Sequence, residues 1–199
     1  MRIISGKFRG LKLYSPLDSN TRPTSDRLKE SLFSILESHK YNLNLSTSKV
    51  LDICSGTGAL GIEAISRGTG FVYFIEKDPK AIHVIEKNIS KLKLNNQNEI
   101  KINLIKDDAV KALKKISTIF NIIFIDPPYN SSIIEECLIG LKELNLINND
   151  SYIFAESSKK ESFQADGYEI FDTKVYGKSK LTILRLIRSG SIEYLFNIF

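Results

Sequence analysis

The sequence predicts an α/β fold: a mostly parallel seven-stranded sheet that ends in an antiparallel C-terminal hairpin, with helices on both faces and a small N-terminal β-ribbon plus helix ahead of it. Three observations carry this expectation. Between residues 49 and 144, short β-rich runs alternate with helical ones four times, the pattern of a parallel sheet built from strand–helix units. The strand segments are near-continuous apolar runs, such as Ile122-Ile123-Phe124-Ile125, as expected when helices cover both faces. The last third changes to β-rich runs separated by a glycine-containing turn, which reads as a hairpin.

Taken in order, residues 2–5 and 11–14 flank Gly6-Lys7-Phe8-Arg9-Gly10 and read as the ribbon. Thr24-Ser25-Asp26 can cap a helix running to about Ser38, with Leu28, Leu32, Ile35 and Leu36 on its inner side. Residues 42–48 form a polar linker. The four strand–helix units follow as 49–53 with 59–67, 71–75 with 79–92, 100–105 with 108–115, and 120–125 with 132–144. In the second helix of this series Ala81, Ile82, Ile85, Ile89 and Leu92 form one buried stripe; His83 lies just off it and reads as a surface residue. A fifth strand spans 152–156, and the hairpin strands 168–176 and 180–187 are joined by Gly177-Lys178-Ser179. By role, the chain divides into an N-terminal ribbon and helix (1–40), a main domain (41–188) and an apolar extension (189–199) expected to pack on the domain or on a partner chain.

With 199 residues and 22.5 kDa, 42% hydrophobic and 26% charged, with 11 Gly and 5 Pro, the chain can bury a full core, and collagen-like or low-complexity readings are excluded. No apolar stretch reaches a membrane span, and the amino end lacks the pattern of a secretory signal, so the expected address is the cytoplasm. Cys54, Cys137, His39 and His83 make no metal-ligand grouping; no metal is expected, and both thiols are expected free. The net charge of +5 is segregated: residues 1–12 carry +4, residues 174–188 carry +5, and the remainder carries −4. Basic ends around an acidic middle suit a phosphate-bearing partner.

Asp52-Ile53-Cys54-Ser55-Gly56-Thr57-Gly58-Ala59-Leu60-Gly61 sits where the first strand of the alternating series turns into its helix. Gly56 and Gly58 allow a tight bend and close approach of backbone to a ligand at a helix N-terminus, and Gly61 allows close helix packing. Glu76, 20 residues past Gly56 and at the end of the next strand, is placed to accept both hydroxyls of a ribose. Asp52 would repel a pyrophosphate but attract the ammonium of a methionine moiety, and Asp108 can accept from an adenine amino group. S-adenosylmethionine is therefore favoured over NAD as the ligand. Helix capping is the alternative role for Asp52 and Asp108.

Asp126-Pro127-Pro128-Tyr129 follows the fourth strand, at the carboxyl edge where open α/β sheets bind ligands. The amino group of a purine is conjugated into its ring and is a poor nucleophile, so acceptors must draw its lone pair toward the attack direction. The Asp126 carboxylate and the Pro127 carbonyl supply two acceptors, and Pro128 restricts the residue before it. Tyr129 offers a ring for the base. A proline turn that merely ends a strand is the blander reading; with the glycine loop at the right interval, the pair points to methyl transfer onto a nucleobase amino group.

These motifs, together with Arg2-Ile3-Ile4-Ser5-Gly6-Lys7-Phe8-Arg9-Gly10 and Thr21-Arg22-Pro23-Thr24-Ser25-Asp26-Arg27, resemble the RsmD-type bacterial guanine-N2 methyltransferases of small-subunit ribosomal RNA, from Met1 to about Arg188. The resemblance implies a Rossmann-like class I methyltransferase fold, S-adenosylmethionine as donor, and one guanine of the ribosomal RNA as target, in assembled or assembling small subunits. It carries over Asp126, Pro127, Pro128 and Tyr129 as the catalytic loop and Asp52, Gly56, Gly58, Glu76 and Asp108 as donor contacts. Cys54-Ser55 and Glu156-Ser157 depart from the family pattern. Lys7, Arg9, Lys12, Arg22 and Arg27 can contact RNA phosphates, with solvated charge as their blander reading. A monomer is the expected state. The rival activities are an adenine-N6 DNA methyltransferase, an inactive RNA-binding or ribosome assembly factor, and an NAD-dependent oxidoreductase.

Overall fold

The computed structural model describes residues 1–15, 26–94, 100–129 and 132–187. Arg22, the capping residues Thr24 and Ser25, Arg188 and the extension 189–199 lie outside the described residues. The elements are α1 (Asp26–Leu36), β1 (Lys49–Ile53), α2 (Ala59–Ser66), β2 (Phe71–Glu76), α3 (Pro79–Lys91), β3 (Lys101–Lys106), α4 (Ala109–Leu113), β4 (Ile122–Ile125), α5 (Ile133–Glu143), β5 (Tyr152–Ser158), β6 (Tyr168–Tyr176) and β7 (Ser179–Leu186). They build one seven-stranded sheet of order β3-β2-β1-β4-β5-β7-β6. Strands β1 to β5 run parallel, and β7 pairs antiparallel with both β5 and β6. The fold is therefore the expected Rossmann-like sheet with its antiparallel end.

Period-two alternation sorts the strand side chains onto two cores. Val50, Phe74, Ile122, Phe124, Phe154 and Ile183 pack on one face with Ile3, Leu13, Leu32, Phe33, Ile62 and Ile85, so the N-terminal segment and helices α1, α2 and α3 share that side. Leu51, Ile53, Ile75, Ile123, Ile125 and Ile153 pack on the other with Leu113, Cys137 and Leu141 of α4 and α5. Each such fully buried side chain contributes about 1.5–3 kcal/mol. Among the described residues, no helix is long and apolar enough to cross a membrane.

Several boundaries differ from the sequence expectation. The N-terminal ribbon is short: one antiparallel bridge, Arg2 with Lys12, flanked by the Ile3 N–H donating to the Leu11 carbonyl and the Leu13 N–H donating to the Met1 carbonyl, beyond which the backbone donors turn toward α2. The Ile4 and Ser5 N–H groups donate to the Glu63 carboxylate at 2.8 and 2.9 Å, and the Phe8 N–H donates to Ser66 Oγ at 3.0 Å. Gly6 (φ 81) lies so close to this helix that a Cβ there would meet the Ser66 carbonyl oxygen at 1.8 Å. Helix α4 is a turn and a half, and β4 starts at Ile122, since the Phe120 N–H is taken by the Leu146 carbonyl. The hairpin connection is the two residues Gly177 and Lys178, with Tyr176 paired to Ser179.

Candidate active site

The sheet order reverses between β1 and β4, which start in opposite directions of chain progression across the sheet; this is the switch point at which open α/β sheets bind ligands. Ile53 pairs with Ile125, so the loops after both strands leave the sheet at the same level. A cavity of about 440 Å³ lies there, with Asp52, Gly56, Glu76, Asp108, Asp126, Pro127, Pro128 and Tyr129 all in its wall.

The glycine loop bends as the sequence requires. Cys54 (φ 58), Gly56 (φ 56) and Gly58 (φ 75) are all left-handed, a conformation that favours glycine, and Gly58 is the N-cap of α2. The loop is fastened to the end of β2: the Ser55 N–H donates to the Ile75 carbonyl at 3.0 Å, the Ser55 hydroxyl donates to the Asp52 carbonyl at 2.6 Å, and the Gly56 N–H donates to Glu76 Oε2 at 2.8 Å. Glu76 Oε1 accepts from the Lys77 and Asp78 N–H groups, both at 2.9 Å. Three backbone donors thus hold the Glu76 carboxylate in one orientation. Gly61 brings α2 onto β2 so closely that a Cβ there would lie 2.3 Å from the Phe74 ring.

Asp52 is 1% exposed, and its Oδ2 accepts from the Gly61 N–H at 2.9 Å. Burial pushes its carboxyl well above the usual range; the Gly61 N–H opposes that shift, while the negative charges of Asp126 and Glu76 reinforce it. Asp108 caps α4 through the Val110 N–H at 3.2 Å and lies 3.5 Å from Lys77 Nζ. Both aspartates therefore serve helix backbone while lining the cavity. Burial pushes the Cys54 thiol up, and the Cys137 thiol up to about 12, so neither is a thiolate nucleophile at neutral pH.

The loop after β4 begins with the Asp126 N–H donating to the Ile53 carbonyl at 3.3 Å, which ties it to the glycine loop's own strand. Pro127 is buried, Pro128 is exposed, and Tyr129 is 36% exposed with its hydroxyl 2.9 Å from Ser179 Oγ. Sequence reasoning missed the opposite wall: Leu28 of α1, Glu156 of β5, and Tyr176 and Ser179 at the hairpin tip. Because β7 starts beside the end of β5, Ser179 opposite Ser158, the hairpin tip overhangs the carboxyl edge of the sheet. The Tyr176 hydroxyl also meets the Ser31 hydroxyl of α1.

Of the candidate RNA contacts, Lys7, Arg9, Lys12 and Arg27 are exposed, and none lines the cavity. Among the described residues there is no cluster of metal-binding side chains.

The family model described as conserved hypothetical protein 95 matches residues 1–185. Ribosomal RNA small subunit methyltransferase D of Escherichia coli strain K12 is 34% identical over 157 residues, covering 79% of this chain and 74% of its own length. The protein of the same name from Buchnera aphidicola subsp. Acyrthosiphon pisum strain APS is 35% identical over 161 residues, 80% of this chain and 79% of its own. The solved structure of the presumed methyltransferase yhhF of Escherichia coli superposes with a TM-score of 0.77 at 30% identity, covering 94% of this chain and 97% of that one. With a family match over nearly the whole length, relatives at this identity and one shared architecture, the chain belongs to the RsmD family.

Proposed function

We propose that this protein transfers a methyl group from S-adenosylmethionine to the exocyclic N2 of a specific guanine in small-subunit ribosomal RNA, presented in assembled or assembling subunits. The observation that carries the reading is that Asp126, Pro127, Pro128 and Tyr129 share one cavity with the glycine loop and Glu76. The names of the relatives support RNA as the substrate class.

The donor set fits a cationic nucleoside. Carboxylates crowd the cavity, Asp52, Glu76, Asp108 and Asp126 among them; burial holds the Asp52 carboxyl up and the charges of Asp126 and Glu76 add to that, a repulsion that bound positive charge relieves. Glu76, fixed by its three backbone donors, would hold the ribose hydroxyls, Asp52 the ammonium and Asp108 the adenine. When bound, S-adenosylmethionine supplies an electrophilic methyl whose release leaves a neutral thioether, so no general acid is needed. The chain's own work is on the base. Asp126 and the Pro127 carbonyl accept the N2 hydrogens and orient the nitrogen lone pair toward the methyl; as the N–C bond forms and the C–S pair returns to sulfur, the surplus N2 proton passes to Asp126 or to water. Tyr129, tethered to Ser179, stacks on a base that has left its own stack. Positioning accounts for most of the acceleration.

Asp126→Ala is therefore expected to lower turnover on small subunits by about three orders of magnitude with donor binding little changed, measured by methyl incorporation and by calorimetry. Nucleoside analysis of the product is expected to give N2-methylguanine; N6-methyladenine, or methyl groups on DNA in place of RNA, would overturn the assignment.

A further inference from the structure

Outside the cavity, three aromatic rings among the described residues carry two cations each: Phe71, with Lys49 and Lys101, packs against the core, Phe171 has cations ion-paired to Asp172 and Glu169, and Tyr14 is the exposed one. Tyr14 is 47% exposed, with Lys91 Nζ 3.5 Å and Lys87 Nζ 5.8 Å from its ring centroid. Lys91 also donates to the Lys12 carbonyl at 2.8 Å, which puts the backbone of exposed Lys12 beside the patch. Lys87 and Lys91 stand one turn apart on α3, and exposed His83 stands one turn before them, so one helix face continues the patch. Among the described residues no carboxylate lies within ion-pairing distance of Lys12, Lys87 or Lys91; Glu86 is turned to Lys106 at 2.6 Å.

The backbone that carries the ring is also clamped. Asn88, fully buried, accepts from the Tyr14 N–H at 2.7 Å and donates both to the Tyr14 carbonyl at 3.2 Å and to the Thr57 carbonyl at 3.0 Å. Thr57 belongs to the glycine loop and lines the cavity. A buried amide thus fixes a half-exposed aromatic residue directly to the donor-binding loop. One exposed cation–π contact, worth about 0.5–1 kcal/mol, would explain one lysine at the ring; it does not explain two ammonium groups over one exposed ring with no acid among the described residues in ion-pairing reach. Rigid aromatic rings among unpaired cations are how proteins hold single-stranded nucleic acid, with bases stacked and phosphates neutralised.

We propose that Lys12, Tyr14, Lys87 and Lys91 form a second RNA-contact surface, on which a stretch of the substrate strand flanking the target nucleotide lays a base against Tyr14 and its phosphates on the three ammonium groups. This rests on RNA being the substrate, and it extends the contact region from the Lys7–Arg9 turn across the outer face of α3.

The test measures binding of a small-subunit ribosomal RNA transcript across a salt series for the full-length chain, Lys87→Ala/Lys91→Ala, Tyr14→Ala and Tyr14→Phe, together with KM and kcat on small subunits and donor affinity. The double lysine variant is expected to flatten the salt slope by about one to one and a half, at about 0.7 per phosphate on a single strand. Tyr14→Ala is expected to weaken RNA binding about tenfold while Tyr14→Phe holds it, and KM on subunits should rise with kcat and donor affinity kept. An unchanged slope and KM in variants of a wild type that does bind RNA overturns the surface alone. Loss of donor affinity overturns it in favour of a structural role. Weakened subunit binding with transcript binding unchanged overturns it in favour of a protein partner. A wild type that binds no RNA removes both this surface and the substrate reading.

Discussion

Asp52 serves the fold and, in the function proposed, also the ligand. It is buried, bonded to the Gly61 N–H, and faces Asp126 and Glu76, so its carboxyl holds a proton to higher pH than in the unfolded chain. The sign follows from linkage: with the folded value above the unfolded one, the folded state binds the proton more tightly. Asp52 therefore favours folding below the unfolded carboxylate value of about 3.9, and this contribution is lost as pH rises through the folded value. A cationic donor favours the ionised form, so binding releases a proton and affinity rises with pH until Asp52 is ionised in the free protein. Calorimetry in two buffers of different ionisation heat reads that release directly; an identical heat in both would mean that Asp52 is already charged before the donor arrives. Asp52→Asn keeps an acceptor for Gly61 and removes the charge. It should abolish the pH dependence, leave the free protein at least as stable above that window, and weaken donor binding about tenfold or more.

Helix α2 is the element that joins the parts. Its first turn closes the glycine loop, Gly61 seats it on Phe74, and its outer side holds the N-terminal segment through Glu63 and Ser66. Glu63 is fully buried, 3.0 Å from Arg67 Nε and 3.8 Å from Lys29 Nζ. Lys29, also fully buried, donates to the Arg2 carbonyl, and its burial lowers its pKa against the pull of Glu63 and Asp26. Glu63→Ala would leave two cations facing each other without their carboxylate, at a cost of about 3–5 kcal/mol and a fall in Tm of about 10 °C; thermal melting checks it, and a shift under 2 °C would show that the pair carries little weight. The Glu63 contacts were not legible beforehand. A lone Glu in Ala-Leu-Gly-Ile-Glu-Ala-Ile-Ser reads as a solvated position, and its backbone partners Ile4 and Ser5 lie 59 and 58 residues away. Likewise Tyr176 and Ser179 enter the cavity wall only through the register of β7 against β5. The strand–helix alternation and both loop motifs were legible because each is contiguous in sequence and its chemistry is local. The N-terminal ribbon is shorter than its two sequence segments because the Ile4, Ser5 and Phe8 N–H groups are spent on side chains of α2, which pairing propensity does not register.

At the scale of the whole molecule, the basic amino end and the sheet are one folding unit with two roles. Ile3 and Leu13 share a core with Phe33, Phe74 and Phe124, and the backbone of residues 4–8 satisfies Glu63 and Ser66. The exposed charges Lys7 and Arg9 sit on this anchored segment and do not line the cavity, whose wall the segment meets where the Met1 sulfur lies 3.8 Å from Thr57 Oγ1. Two kinds of change should therefore separate cleanly. Lys7→Ala/Arg9→Ala alters only solvated groups, so Tm and donor affinity should hold while RNA binding weakens and its salt slope flattens by about one to one and a half. Deleting residues 1–15 strips two apolar side chains from the core, each worth about 1.5–3 kcal/mol, and removes the backbone donors on which the buried Glu63 depends. That truncation should lower Tm by more than about 10 °C and weaken donor binding with it, because Asn88, which holds the Thr57 carbonyl, loses its Tyr14 partners. Melting curves and donor titrations on the two variants decide the matter: a truncated chain that melts like the full-length one and still binds donor would mean that the segment is a detachable arm, and that its hold on the glycine loop has no consequence for the site.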